Sequence, residues 1–219
     1  HETIYYPNKI KQLIGKLRSG ILSETEEKET VSAISELIEY YKGIFTILSS
    51  CAARQLEEVT FRRSTISVAD LCEYAVKYFR KASKGKTSRI EFLTESTEKR
   101  IIGDINQLRF LLENLIDEAL TVREDGILKL HAAEDGNYIR FLFTDTRREK
   151  SVDELNKLFY PNLARMTSGE KGELRGTEYL ICKQIIRDHD EFAGRRGCRI
   201  NAEPAQKGGF TVYFTLPKR

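Results

Sequence analysis

Asn114 and Glu118 stand four residues apart in the stretch from Gly103 to Leu120, GDINQLRFLLENLIDEAL. On a helix that spacing lets an amide and a carboxylate point at one small object, and a carboxylate is a good ligand for a hard cation. Gln107 and Thr121 fall on the same flank. The flank also reads as the solvated border between core and surface, and the helix by itself leaves both readings open. Asp145 closes the apolar run that begins at Tyr138, and from the residues alone it reads as a strand-end turn residue.

The element that positions the first pair is amphipathic. Around Leu108, the residues Ile105, Leu111, Leu112, Leu115, Ile116 and Ala119 share one arc at helical spacing and form a core face. Earlier in the chain, Ile10, Leu13, Ile14, Leu17 and Ile21 predict a helix from His1 to about Leu22, with Gly20 and Ser23 marking its end. The acidic stretch Ser23 to Glu29 reads as a turn with Ser23 and Thr25 as caps. Val31, Ile34, Ile38, Tyr41, Phe45, Leu48 and Ala52 then hold a heptad seam, widened by Leu37 and Ile44. A two-helix hairpin leaves such a seam in water, so self-association into a four-helix bundle, a homodimer through residues 1–57, is the economical solution.

Glu57 to Ser67 reads as a hinge into a second domain, residues 58–219. A helix is expected over Ser67 to Lys81, with Ser67 and Asp70 as a variant capping box and Val68, Leu71, Cys72, Ala75, Val76 and Phe79 inward. After a loop at Lys84 to Ser88, strands are expected at Arg89 to Thr94 and Arg100 to Ile102, bounding a turn. Gly126 to Ala133 and Tyr138 to Asp145 should pair as a hairpin across Glu134-Asp135-Gly136-Asn137. A short helix over Ser151 to Phe159, a mobile loop over Pro161 to Leu174, a helix over Arg175 to Arg187, and strands over Cys198 to Glu203 and Gly209 to Leu216 complete the chain. The fold class is α+β: a helical hairpin followed by a layered α/β sandwich.

Composition narrows the function classes. The 219 residues are 40% hydrophobic and 32% charged, with a net charge of +3, enough apolar material for an ordinary core. The paired arginines Arg62-Arg63, Arg147-Arg148 and Arg195-Arg196 are dispersed, which argues against nucleic-acid binding. No apolar run approaches the ~18 residues of a membrane span. Cys51, Cys72, Cys182 and Cys198 show no zinc or CxxC spacing and read as reduced thiols of a cytosolic protein. The chain begins at His1 rather than Met, so we expect a fragment, with any sensor or membrane anchor in a missing N-terminal region.

The run Glu113 to Ala119 after a strand ending in Gly103-Asp104 resembles the N box of the sensor histidine kinases, the bacterial signalling branch of the GHKL ATPases. The pattern there is Asn-Leu-Leu-x-Asn-Ala, matched by Asn114, Leu115, Ile116 and Ala119. Glu118 takes the place of the second Asn, the magnesium ligand, and Thr121 that of a Lys near the phosphates. Asp145-Thr146-Arg147-Arg148-Glu149 is similar to the G1 box, Asp-x-Gly-x-Gly, whose Asp accepts from the adenine amino group. Arg147 and Glu149 replace both glycines, and side chains there would crowd the backbone's approach to the base. Leu158-Phe159-Tyr160-Pro161 resembles the F box, with Phe159 a packing residue. Leu174-Arg175-Gly176-Thr177-Glu178 resembles the start of the G2 box with only Gly176 retained, and Glu178 brings a carboxylate toward the expected phosphates. Gly208 to Pro217 resembles the closing strand.

His1-Glu2, with Pro7 beyond, resembles the H box. The resemblance makes His1 the phosphoacceptor, since a neutral imidazole is a nucleophile for phosphorus, and Glu2 its base. It covers nearly the whole chain and implies an N-terminal dimerisation and phosphoacceptor hairpin followed by a degenerate ATP-binding domain of the histidine kinase/GHKL ATPase type. Nucleotide binding would fall to Asn114, Asp145 and Gly176, and the metal to Glu118. Mg-ATP is the family's cofactor and is doubtful here. The expected function is a cytoplasmic transmitter module with weak or no ATP binding, exchanging phosphate or conformation with a response regulator or partner kinase. The alternatives are an active histidine kinase using Mg-ATP in an altered site, and a purely structural dimerisation module.

Overall fold

The computed structural model describes residues 2–38, 61–160, 167–168, 174–175 and 178–219. In chain order the elements are α1 (Glu2–Arg18), α2 (residues 24–38), β1 (Ser64–Ser67), α3 (Val68–Ala82), β2 (Ile90–Glu95), β3 (Arg100–Gly103), α4 (Ile105–Ala119), β4 (Gly126–Asp135), β5 (Tyr138–Asp145), α5 (Val152–Asn156), β6 (Thr167–Ser168), β7 (Leu174–Arg175), α6 (Glu178–Phe192), β8 (Ile200–Pro204) and β9 (Phe210–Pro217). The architecture is α+β, helices followed by a mixed sheet with its own helices, as the resemblance implied. The chain divides into two compact units, His1–Val59 with Pro161–Arg175, and Thr60–Tyr160 with Gly176–Arg219.

In the first unit α1 ends where Gly20 takes a positive φ of 66°. The expected turn over Ser23 to Glu29 is shorter than the spacing suggested, because α2 starts directly after Ser23. Ser23-Glu24-Thr25-Glu26 forms a capping box: the Ser23 N–H and hydroxyl donate to the Glu26 carboxylate at 2.8 and 2.7 Å, and the Glu26 N–H returns to Ser23 Oγ at 3.4 Å. The later seam positions Tyr41, Phe45, Leu48 and Ala52 lie outside the described residues, as does most of the expected loop Pro161 to Leu174. Within that stretch β6 and β7 form a short antiparallel pair.

The second unit is built on a five-stranded sheet in the order β2-β4-β5-β9-β8, with only β2 to β4 parallel. Alternate residues Leu128, Leu130 and Ala132 on β4, Ile139, Phe141 and Phe143 on β5, and Val212, Phe214 and Leu216 on β9 are buried with the apolar faces of α3, α4 and α6 in one core. Phe141 and Phe214 stack at its centre with centroids 4.8 Å apart. Ser67 caps α3 by accepting from the Asp70 N–H at 3.2 Å, and Val68, Leu71, Cys72, Ala75 and Phe79 are buried as their spacing required. Burial pushes the Cys72 thiol up to about 11, so it stays a neutral packing group.

Three local expectations are corrected. The strands at Arg89 to Thr94 and Arg100 to Ile102 do not bound one hairpin: β2 pairs with β4, whereas β3 pairs antiparallel with β1, four residues of the stretch read as hinge. Only Ile66 of β1 is buried, too little for a period-two signal to stand out. The helix expected to end at Arg187 continues to Phe192, because His189 follows Ile185 and Ile186 into the core at helical spacing and the polar letters around it mask the pattern. Conversely, α5 stops at Asn156, and Leu158 and Phe159 are buried from a turn instead.

Candidate functional site

The site is assembled from the last turn of α4 and the segment that leaves β5. Asp104 sets the start of α4, its Oδ1 accepting from the backbone of Asn106 and Gln107 at 2.9 and 3.2 Å. With Leu108, Leu111, Leu112, Leu115 and Ile116 fixed in the core, Asn114 and Glu118 come to one flank a turn apart. Asn114 is buried, and its side-chain nitrogen donates to its own helix at Phe110 O, 2.7 Å away. Glu118 lies farther along, at the helix end.

Strand β5 carries Asp145 to the same end. The bend that leads into its partner strand β9 passes so close that a side chain at Gly209, φ 80°, would collide with the Asp145 carbonyl and lie 2.7 Å from Thr146 Cα. The chain then turns, and Arg147 folds back on Asp145. The Arg147 backbone N–H and Nε donate to Asp145 Oδ1 at 3.0 and 2.8 Å, and Nη2 donates to Oδ2 at 2.8 Å. The same Nη2 donates to Ala119 O at 2.7 Å, a carbonyl at the C-terminal end of α4 where the helix dipole favours a cation. The Arg147 side chain has 0% of its surface exposed and that of Asp145 2%. Its stem lies over Gly126: a Cβ there would overlap Arg147 Cγ and sit 3.2 Å from Cδ.

Arg148 closes the other side. Its Nη1 donates to Glu118 Oε1 at 3.2 Å, its Nε lies 3.5 Å from Asp145 Oδ2, and its guanidinium sits 5.6 Å from the Phe210 ring centre. Burial opposes the Arg148 charge, but the Glu118 and Asp145 carboxylates beside it more than offset this, so its pKa lies above the ordinary value. Tyr179, the second residue of α6, is buried beside this group. Burial, reinforced by Glu118, pushes its phenol well above the ordinary range and keeps it neutral.

Two arginines and two carboxylates thus form a compensated quartet at the end of α4. Each oxygen of Asp145 already accepts from Arg147, and Glu118 is held by Arg148. Arg147 Nη1 and Arg148 Nη2 are buried without a hydrogen-bond partner, so the quartet has donors to spare. Among the described residues no group of three or more His, Cys, Asp or Glu is arranged to hold a metal ion.

Of the residues singled out from the sequence, Glu118 and Asp145 meet through Arg148, with Asn114 one turn before Glu118 on α4. His1 and Gly176 lie outside the described residues, and Glu2 falls within α1. Sequence reasoning missed that Arg147 turns inward onto Asp145, that Arg148 joins the two carboxylates, and that Gly126 makes room for the first arginine. The available signal was an Arg-Arg pair directly after a strand-ending Asp, opposite a glycine that opens the neighbouring strand.

Residues 103–219 match the family model described as histidine kinase-, DNA gyrase B-, and HSP90-like ATPase. The chain is 24% identical over 194 residues to the signal transduction histidine-protein kinase BaeS of Escherichia coli strain K12, covering 86% of this chain and 39% of that protein. It is 25% identical to the sensor histidine kinase RcsC of the same organism over 57% of this chain and 13% of that one. The chain therefore spans well under half the length of either relative. Among solved structures, the histidine kinase ThkA in complex with the response regulator protein TrrA is similar in fold, with a TM-score of 0.58, 18% identity, all of this chain covered and 59% of that one. The catalytic domain of ThkA alone gives a TM-score of 0.55 at 19% identity, over 72% of this chain and 96% of that one. No helix among the described residues is long and apolar enough to cross a membrane.

Proposed function

We propose, from the premise that this chain belongs to the family of histidine kinase-, DNA gyrase B- and HSP90-like ATPases, that it is the transmitter region of a two-component histidine kinase-like protein with weak or no ATP binding. Residues 1–57 serve as the dimerisation and phosphoacceptor hairpin and residues 58–219 as the degenerate ATPase domain. His1 is the phosphorylation site and Glu2 the base beside it. The resemblance to BaeS over 86% of the chain supports the reading of both parts together.

One observation carries the loss of nucleotide chemistry: Arg147, with no exposed side-chain surface, binds both oxygens of Asp145. An adenine amino group needs that carboxylate as acceptor, and a magnesium ion at Glu118 would have to displace Arg148. The residues present do not fit the ligand set of the family, and the module acts by passing phosphate or conformation rather than by consuming ATP. A response regulator is a fitting partner, as ThkA has been crystallised with one. We place the module in the cytoplasm.

Titration of the full chain with Mg-ATP, by calorimetry and thermal shift, tests this against Asn114→Ala. The expected result is no saturable heat and no shift at millimolar nucleotide in either protein. Saturable binding that Asn114→Ala abolishes would instead establish a working kinase site of altered geometry.

A further inference from the structure

Arg147 does more than obstruct. Although its Nη1 is left without a partner, the acceptors, the strand beneath its stem and the turn that delivers it are all fitted to it. Asp145 receives three donors from this one residue, through the backbone N–H, Nε and Nη2. The last carbonyl of α4, Ala119 O, takes a fourth bond. Gly126 is the residue over which the stem lies, where any side chain would overlap Cγ. Thr146, just before it, bridges both backbone groups of Ile127 through its hydroxyl, donating to the carbonyl and accepting from the N–H at 3.1 Å each. The turn that delivers Arg147 is therefore pinned to β4.

We propose that this slot is a guanidinium-binding site, and that Arg147 is its resident occupant. The acceptors are a carboxylate fork and a helix-end carbonyl, a set that matches amidinium and guanidinium edges, which offer two or more coplanar N–H groups. The side chain fills the site as an intramolecular ligand and holds the end of α4 to the end of β5. The inference rests on the reading that the conventional nucleotide chemistry is lost and adds what replaced it. Since the occupant is covalently attached and fully buried, it does not exchange with solutes at ordinary concentration.

The test is chemical rescue in the full chain. Arg147→Ala leaves the slot empty, and removing one partner of a buried pair should lower the melting temperature by roughly 5–10 °C. Methylguanidinium at low millimolar concentration should raise the melting temperature of Arg147→Ala saturably, while equal tetramethylammonium does nothing and the wild type is unmoved. The double variant Asp145→Asn, Arg147→Ala should not respond. An Arg147→Ala protein that melts with the wild type, that fails to respond, or that responds no more than the wild type does, overturns the inference.

A second measurement stands even where Arg147→Ala does not fold. In the wild type the Arg147 Nε–H should give a nitrogen-correlated NMR signal protected from water exchange, lost in Arg147→Lys and unmoved by Mg-ATP. Absence of that protected signal overturns the occupant. Mg-ATP binding by the wild type would sink the proposed function, whereas a wild type that ignores ATP together with an unrescued Arg147→Ala would sink this inference alone.

Discussion

Arg148 and Glu118 form the outer half of the quartet, and their exposure decides what the pair contributes. At 20% and 15% of their side-chain surfaces they are too enclosed for solvent to screen the pair fully, yet they are not sealed like Arg147. Glu118→Gln would leave the Arg148 charge with the longer 3.5 Å approach to Asp145, which Arg147 already occupies, and with the neutral Tyr179. The expected loss is about 1–3 kcal/mol in urea unfolding with an unchanged slope. A Glu118→Gln protein as stable as the wild type would mean that Arg148 finds water instead. At this scale the carboxylates were legible in the sequence and their partners were not. Asp145 and Glu118 announce themselves by ending a strand and by standing one turn after Asn114. Nothing in the letters says whether Arg147 turns in or out, because residues past a strand end have no periodicity to assign them a face.

At the scale of elements, α4 is held at its start as firmly as at its end. His189 on α6 is buried with its ring edge-on to Phe61, centroids 4.9 Å apart. Its Nδ1–H donates to Ile185 O at 2.8 Å, and its Nε2 accepts from the Asp104 N–H at 3.1 Å. Asp104 also accepts from the Arg62 N–H at 2.8 Å, so the entry of the chain into β1, the start of α4 and the last turns of α6 share one knot. Both ring nitrogens are used in the neutral form, and a second proton on Nε2 would face a donor. Burial accordingly lowers the His189 pKa, against the opposing pull of the Ile185 carbonyl and the Asp104 charge. A folded-state pKa below the unfolded value means that the unfolded chain binds more protons in acid. The contribution is complete above the ordinary imidazole range and is lost as pH falls through the folded value. Urea unfolding from pH 7 to pH 5 should therefore show declining stability, and His189→Leu should flatten that part of the curve while lowering its upper end. Parallel curves for the two proteins would remove His189 from the account.

The same elements show where sequence periodicity succeeds. The helices α3 and α4 were legible because each carries a 3.6-residue apolar face, with which the Ser67 cap of α3 agrees. The β1–β3 pair and the parallel pairing of β2 with β4 were not, since strand order depends on contacts between distant segments that leave no trace in either strand. The far end of α6 was hidden for another reason: its buried residue is a histidine with two internal partners, and polar letters read as surface.

For the whole molecule, the first unit poses the remaining physical problem. In the single chain Ile14 is 42% exposed, Val31 52% and Ile38 38%, apolar surface on two helices joined by only residues 19–23, where Ile21 is 85% exposed. Val31 and Ile38 are one heptad apart on the described part of the seam, so their exposure is a stripe rather than scattered surface apolarity. Fully burying such side chains is worth roughly 1.5–3 kcal/mol each, and a second copy of the same hairpin supplies a self-complementary surface to do it. The full chain should therefore sediment as a dimer at micromolar concentration. Val31→Glu combined with Ile38→Glu should convert it to a monomer by placing like charges on the seam. The melting of the second unit, whose core draws on α3, α4, α6 and the five-stranded sheet, should be unchanged by those substitutions. A wild-type chain that stays monomeric at the highest attainable concentration would leave the seam without a partner of its own kind, and would remove the bundle that the proposed phosphate exchange at His1 requires.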